Sequence, residues 1–125
     1  MLGKVILWLS TLIFGSYGIA CLVSPELPAG YAGLTITNGD AFAEMGAMYG
    51  GLQTGFAVVC LMGALREWMF KPALTMIVVM VGGLALARGF WWAAGADPIG
   101  GYTQGAFAFE LLTATLSLVA LKQAR

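Results

Sequence analysis

Four long apolar stretches, separated by short polar segments, constrain this chain more than any other feature. Each stretch contains at most one charged side chain, and together they cover residues 3–23, 41–65, 72–94 and 103–121. About 20 apolar residues at 1.5 Å per residue span a hydrocarbon core of about 30 Å. The chain is 60% hydrophobic and 10% charged, which is more apolar than soluble domains are. The sequence therefore predicts a single all-α domain over residues 1–125, an integral membrane four-helix bundle whose first stretch is a retained span.

The short linkers and the distribution of charge predict the topology. Short connections favour antiparallel neighbours. In a four-span arrangement the basic residues fall on one side, namely Lys4, Arg66, Lys71, Lys122 and Arg125. The opposite loops carry only the acids Glu26, Asp40 and Asp97. By the positive-inside rule both termini are expected to be cytoplasmic. The longest loop, residues 24–40, either caps the outer mouth of the bundle or lies in solvent, and the sequence does not decide between these.

Three ionisable side chains within the spans form the main candidate site. Glu44, Arg88 and Glu110 come from three different helices, and counting from the predicted helix ends places each roughly 5–10 Å below the outer interface. A lone charge in lipid costs at least about 2.5–3.5 kcal/mol at the bilayer centre, so such residues turn inward and pair. A Glu–Arg–Glu layer is therefore expected in the outer leaflet. Two acids against one base leave a net negative charge, which favours a cationic or hydrogen-bonding ligand group.

Further polar and aromatic residues lie near this predicted layer. They are Tyr49 and Gln53 on the second helix, Trp91 and Trp92 on the third, and Gln104 on the fourth. The two tryptophans either anchor the helix at the interface or form an aromatic wall beside Arg88. The second helix also carries glycines expected at a helix–helix contact: Gly46, Gly50, Gly51 and Gly55. Small residues at such spacing let neighbouring helices approach closely.

The same composition excludes several functional classes. The chain has no histidine and no net charge, so neither histidine-based metal ligation nor a basic surface for nucleic acid is expected. Cys21 and Cys60 lie in separate apolar segments without metal-ligand spacing. No nucleophile with an adjacent base is visible, so no residue is assigned a catalytic role, and a binding protein is favoured over an enzyme. The sequence identifies no cofactor.

Three segments together resemble a known family. They are "AEMGAMYGGLQTG", "LALARGFWWAAGADP" and "FAFELLTATL". They resemble an uncharacterised bacterial family of small four-helix membrane proteins, a domain of unknown function with a glutamate before a Tyr-Gly-Gly motif. The matching residues are Glu44, Tyr49, Gly50, Gly51, Arg88, Asp97 and Glu110. Gly46 stands where that family often has a second basic residue, so a model with two ion pairs does not transfer. The resemblance implies a multi-pass protein of the bacterial inner membrane, broadly similar in size and topology to the DoxX-like group.

These observations predict a membrane protein that binds or transports a small amphiphilic or apolar molecule at an outer-leaflet pocket. Membrane lipid is its expected surrounding, with a homo-oligomer or a larger membrane complex as possible assemblies. The alternatives are an accessory subunit of a respiratory or photosynthetic complex, and a purely structural role for the three charges in holding the helices together.

Overall fold

The computed structural model describes residues 1–124, and its elements are five helices with no strand among those residues. Arg125, one of the five basic residues noted above, lies outside the described residues. Four of the helices are long and apolar enough to cross a membrane. In chain order the helices are α1 (Leu2–Val23), α2 (Glu26–Ala32), α3 (Gly39–Leu65), α4 (Glu67–Ala94) and α5 (Gly101–Gln123).

Contacts between the long helices give an up-down-up-down bundle. Gly18 and Leu22 of α1 lie against Thr54 and Gly50 of α3, so these two helices run antiparallel. Phe14 and Tyr17 of α1 contact Phe109 and Tyr102 of α5, so this pair is antiparallel as well. Gly82 and Gly89 of α4 lie against Ala114 and Phe107 of α5, so these helices are antiparallel too. Lys4 pairs with Glu67, which brings the start of α1 to the start of α4. We call this end of the bundle the junction end, and the opposite end, which carries α2 and residues 95–100, the loop end.

The α3–α4 connection is shorter than the sequence predicts. A single extended residue, Arg66, separates the two helices, and α4 begins at Glu67 rather than at Pro72. Pro72 therefore lies in the second turn of α4, where its missing N–H leaves the carbonyl of Trp68 without a helical donor. Both residues are exposed, so this carbonyl is hydrated at low cost.

Burial follows a regular pattern along α1. The side chains that face the bundle recur every three or four residues, as in helices of a left-handed bundle: Gly3, Leu7, Ser10, Phe14, Gly18 and Cys21. They join a core built mainly in the half towards the junction end, where Leu74, Ile77 and Cys60 are fully buried. The core is thus continuous near the junction and thins towards the loop end.

Each of the two middle helices contains a π-helical segment. The segments are Gly46–Gly51 in α3 and Ile77–Val81 in α4. In α4 the buried residues Ile77, Val81 and Ala85 follow each other at intervals of four. Eight residues of regular α-helix overrotate by about 80° beyond two full turns. The wider π turn reduces this rotation, so all three side chains stay on the core face.

The long first loop caps part of the loop end. Its helix α2 packs on α1, α3 and α5, and Pro28 and Ala29 are buried. The ring of Tyr31 stacks on Tyr102 of α5, with centroids 5.9 Å apart. The remainder of the loop, residues 33–38, is mostly exposed.

The bundle is split at the loop end. There the loop-end part of α3, residues 39–51, packs on α1 and α2, whereas the loop-end part of α4, residues 82–94, packs on α5. Within residues 1–124 these two segments share no packed interface. A cleft between α3 and α4 therefore opens towards the loop end.

Candidate functional site

A bidentate ion pair joins α4 to α5 beside this cleft. Nε of Arg88 donates to Oε2 of Glu110 at 3.0 Å, and Nη2 donates to Oε1 at 2.9 Å. Two parallel bonds between a guanidinium and a carboxylate are the strongest geometry for this pair. The Glu110 side chain is 8% exposed and that of Arg88 is 28% exposed. The pair is therefore half-buried, with the carboxylate on the inside.

Small residues on α4 place the pair at this position. Gly89 faces the ring of Phe107, where an added Cβ would lie 2.8 Å from the ring, and Gly82 faces Ala114. Because these residues lack bulk, the two helices approach closely enough for the Arg88 side chain to reach α5. Along these contacts the residue number rises on α4 as it falls on α5, because the two helices run antiparallel.

An open groove of about 370 Å³ begins at Arg88. Its other lining residues come from α4, the α4–α5 loop and the start of α5: Leu84, Ala87, Trp91, Trp92, Ile99 and Thr103. Trp92 also packs edge-on against Phe107. The Gln104 amide donates to the carbonyl of Ile99 at 3.3 Å, which holds the loop at the rim of the groove. Five candidates from the sequence thus meet here: Arg88, Glu110, Trp91, Trp92 and Gln104.

Tyr49 and Gln53 lie on the opposite wall of the cleft. Both are half-buried, and with Met45 and Phe56 they follow the spacing of one inward helix face. Tyr49 and Gln53 therefore face the cleft from α3, whereas the residues that line the groove come from α4, α5 and the loop between them.

Glu44 does not join Arg88 and Glu110. It is exposed, and within residues 1–124 it forms no ion pair or side-chain hydrogen bond. Gly46, two residues after Glu44, lies beside Pro25, just beyond the end of α1. Glu110 follows Phe109, which packs on Phe14 in the middle of α1. Phe14 and Pro25 are eleven residues apart, so Glu44 lies roughly 15 Å nearer the loop end than Glu110 does, measured along the bundle axis. Counting from helix ends missed this offset because α3 extends past α1.

The four candidate glycines of α3 divide into two pairs. Gly50 lies against the backbone of Leu22, where an added Cβ would come within 2.8 Å of its nitrogen, and Gly46 lies against Pro25. Gly51 and Gly55 meet no other helix within 4 Å. They lie on an exposed face of α3.

The tightest glycine contacts were not among the sequence candidates. Gly18 faces the backbone of Thr54, Gly63 faces Ala73, and Gly3 faces Phe70. Two of them lie on the regular buried face of α1, so the spacing of small residues on α1 is the signal that would have found them. Sequence reasoning also missed Tyr17, whose hydroxyl lies 3.5 Å from that of Tyr102.

No set of three or more histidine, cysteine, aspartate or glutamate side chains lies together as a metal-ligand cluster in the part of the chain that the structure describes. Cys21 and Cys60 are buried free thiols. The chain matches no protein-family model, and no curated protein and no solved structure is significantly similar to it.

Proposed function

We propose that this chain is a multi-pass protein of the bacterial cytoplasmic membrane, with the junction end in the cytoplasm and the loop end outside. Four apolar helices support the multi-pass arrangement. The distribution of Lys4, Arg66, Lys71 and Lys122 at the junction end supports the orientation, because basic residues are enriched on the cytoplasmic side. Family membership and the likeness to the DoxX-like group stay predictions.

The function proposed for the groove is binding or transport of a small amphiphilic or apolar molecule in the outer leaflet. One observation carries this proposal: the partly exposed Arg88, held by the buried Glu110, lines a groove together with Trp91 and Trp92. A charge at membrane depth is costly and is expected to face a partner or a cavity. Pockets for small molecules are mostly apolar with a few placed polar groups, as this groove is.

Each part of the groove has a distinct task in this proposal. Glu110 holds Arg88 in place through two hydrogen bonds, and Arg88 supplies the polar contact through its remaining N–H groups. Trp91 and Trp92 supply flat apolar surface, and Tyr49 and Gln53 face the ligand from α3. Glu44 lies nearer the outer end of α3 and contacts a ligand only as it enters or leaves.

Native mass spectrometry of the protein purified in mild detergent tests this function. We expect a small molecule to co-purify with the wild type and to be lost from the double variant Arg88→Gln/Glu110→Gln. That variant removes both charges without leaving one unpaired. The matched control is Lys4→Gln/Glu67→Gln, which removes the exposed ion pair at the junction end. Equal small-molecule occupancy in all three proteins would contradict the proposal.

The second candidate function is that of an accessory subunit in a larger membrane complex, and it rests on a different surface. Gly51 and Gly55 lie on an exposed face of α3 with no other helix within 4 Å. Glycines four residues apart favour close approach of a second helix. Co-migration with a large complex at native expression, lost in Gly51→Leu/Gly55→Leu, would favour this function. A small particle that is unaffected by that variant would favour the groove.

A further inference from the structure

The ion pair presents only its basic partner to the groove. Both oxygens of Glu110 accept from Arg88, and the carboxylate is 8% exposed, whereas Arg88 is 28% exposed and lines the groove. A molecule in the groove therefore meets the guanidinium before it meets the carboxylate.

Arg88 keeps unused hydrogen-bond donors. A guanidinium carries five N–H donors and no acceptor. Glu110 takes one donor from Nε and one from Nη2, and Arg88 forms no other side-chain hydrogen bond among residues 1–124. Both N–H groups of Nη1 and the second N–H of Nη2 are left for a ligand.

Among the described residues, no acidic side chain lines the groove to offset the positive charge of Arg88. Apart from Arg88, the only lining residue with a hydrogen-bonding group on an aliphatic side chain is Thr103; the others are apolar or tryptophan. Glu44 and Asp97 are not among the lining residues. The sequence suggested an excess of negative charge, whereas the folded groove offers N–H donors with positive character.

We propose that the groove selects amphiphiles whose head is an oxygen hydrogen-bond acceptor, a carboxylate or a carbonyl, and rejects those with an ammonium head. This inference rests on the proposed binding function and adds the chemical class of the ligand. A carboxylate gains charge-assisted bonds from Arg88, and a carbonyl gains ordinary ones. An ammonium has no acceptor, and the guanidinium repels its charge. The acyl chain lies against Leu84 and Ala87, with the head between Arg88 and the tryptophans.

Tryptophan quenching by brominated amphiphiles tests this selection. The protein is Trp8→Phe/Trp68→Phe, in which only Trp91 and Trp92 emit, reconstituted in phosphatidylcholine vesicles. Three probes share one brominated alkyl chain and carry a carboxylate, a methyl ketone or an ammonium head. The complementary variant Trp91→Phe/Trp92→Phe, which emits only at the junction end, corrects for the partition of each probe into the bilayer.

We expect the carboxylate probe to quench saturably, with a dissociation constant about tenfold lower than that of the ammonium probe. One charge-assisted hydrogen bond accounts for a difference of this size. The ketone probe should lie between the two. In the same background, Arg88→Gln/Glu110→Gln should bring the three affinities close together, because the discriminating group is gone.

Two distinct outcomes would overturn the proposals. If the ammonium probe binds as tightly as the carboxylate probe or more tightly, the ligand class is wrong although the groove binds amphiphiles. If no probe quenches Trp91 and Trp92 saturably beyond the partition control, the binding function itself fails and the ligand class fails with it.

Discussion

At the level of single residues, the two partners of the Arg88–Glu110 ion pair differ in their solvent exposure. Arg88 is partly exposed, and its long side chain can reach the interface if its partner is lost. Glu110 is short, buried and held only by Arg88 among the described residues. The two halves of one ion pair therefore contribute unequally to stability.

This asymmetry gives the first prediction. Arg88→Gln should destabilise the fold by about 3 kcal/mol, because it leaves a buried carboxylate without its partner. Glu110→Gln should cost about 1 kcal/mol, since Arg88 can reorient towards water. The double variant should cost less than the sum of the two. Unfolding in mixed micelles measures all three proteins, and Lys4→Gln, which disrupts an exposed pair, is the control. Equal costs for the two single variants would contradict this reasoning.

Two glycines, Gly18 and Gly55, differ in how much space surrounds them. Gly18→Ala should destabilise the protein by about 1–3 kcal/mol, because its Cβ would lie 2.7 Å from the backbone nitrogen of Thr54. Gly55→Ala meets open space and should raise stability by up to about 1 kcal/mol through helix propensity. Thermal unfolding in detergent compares the two. A destabilising Gly55→Ala would indicate a contact with another chain at that face.

At the level of elements, the π segment of α3 decides which side chains face α1. Gly46, Gly50 and Thr54 follow each other at intervals of four, and all three contact α1 or the residues just after it. A regular α-helix would turn the last of them away. The underwound π segment, which contains Tyr49, therefore keeps these three residues on the face of α3 that packs on α1.

Single-residue deletions test this role of the π segment. Deleting Ala47, an exposed residue inside the segment, should convert it to regular α-helix and keep both flanking faces in register. Deleting Val58, an exposed residue of the regular part, should rotate half of α3 by about 100°. We expect folded protein, measured by monodisperse elution in detergent, from the first deletion and little from the second. Equal yields of folded protein from the two deletions would show that the π segment tolerates a deletion no better than the regular part of α3.

At the level of the whole molecule, the separation of α3 from α4 at the loop end leaves the groove-lining face of α4 uncovered. The core is packed towards the junction end, whereas the loop-end parts of α3 and α4 lie apart. The groove is accessible to ligand from the outer leaflet only if the loop end faces outward.

Orientation is tested by cysteine labelling. With the buried Cys21 and Cys60 replaced by alanine, Thr37→Cys at the loop end should react with a membrane-impermeant maleimide in intact cells. Gln123→Cys at the junction end should react only after permeabilisation, because basic residues keep that end in the cytoplasm. The reverse pattern would place the groove in the inner leaflet.

Hydrophobicity and loop chemistry are enough to predict much of the fold. Apolar length predicts four spanning helices, and all four are long and apolar enough in the structure. The candidate site is predicted less well. Arg88 and Glu110 do meet, because a charge deep in an apolar helix needs a partner, but Glu44 needs none at its exposed position.

The sequence by itself determined the all-α class, the number of long apolar helices and the residues that carry charge within them. These follow from local composition, since a long apolar helix is specified by its own side chains and satisfies its own backbone. Only the tertiary structure decided which charges pair, which glycines are crowded and where the bundle opens. Those properties depend on the relative axial offset and rotation of helices distant in sequence, and the π segments of α3 and α4 change that rotation. The acid that stands out most in the sequence, Glu44, thus lies outside the groove, and the donors of Arg88 set its chemistry.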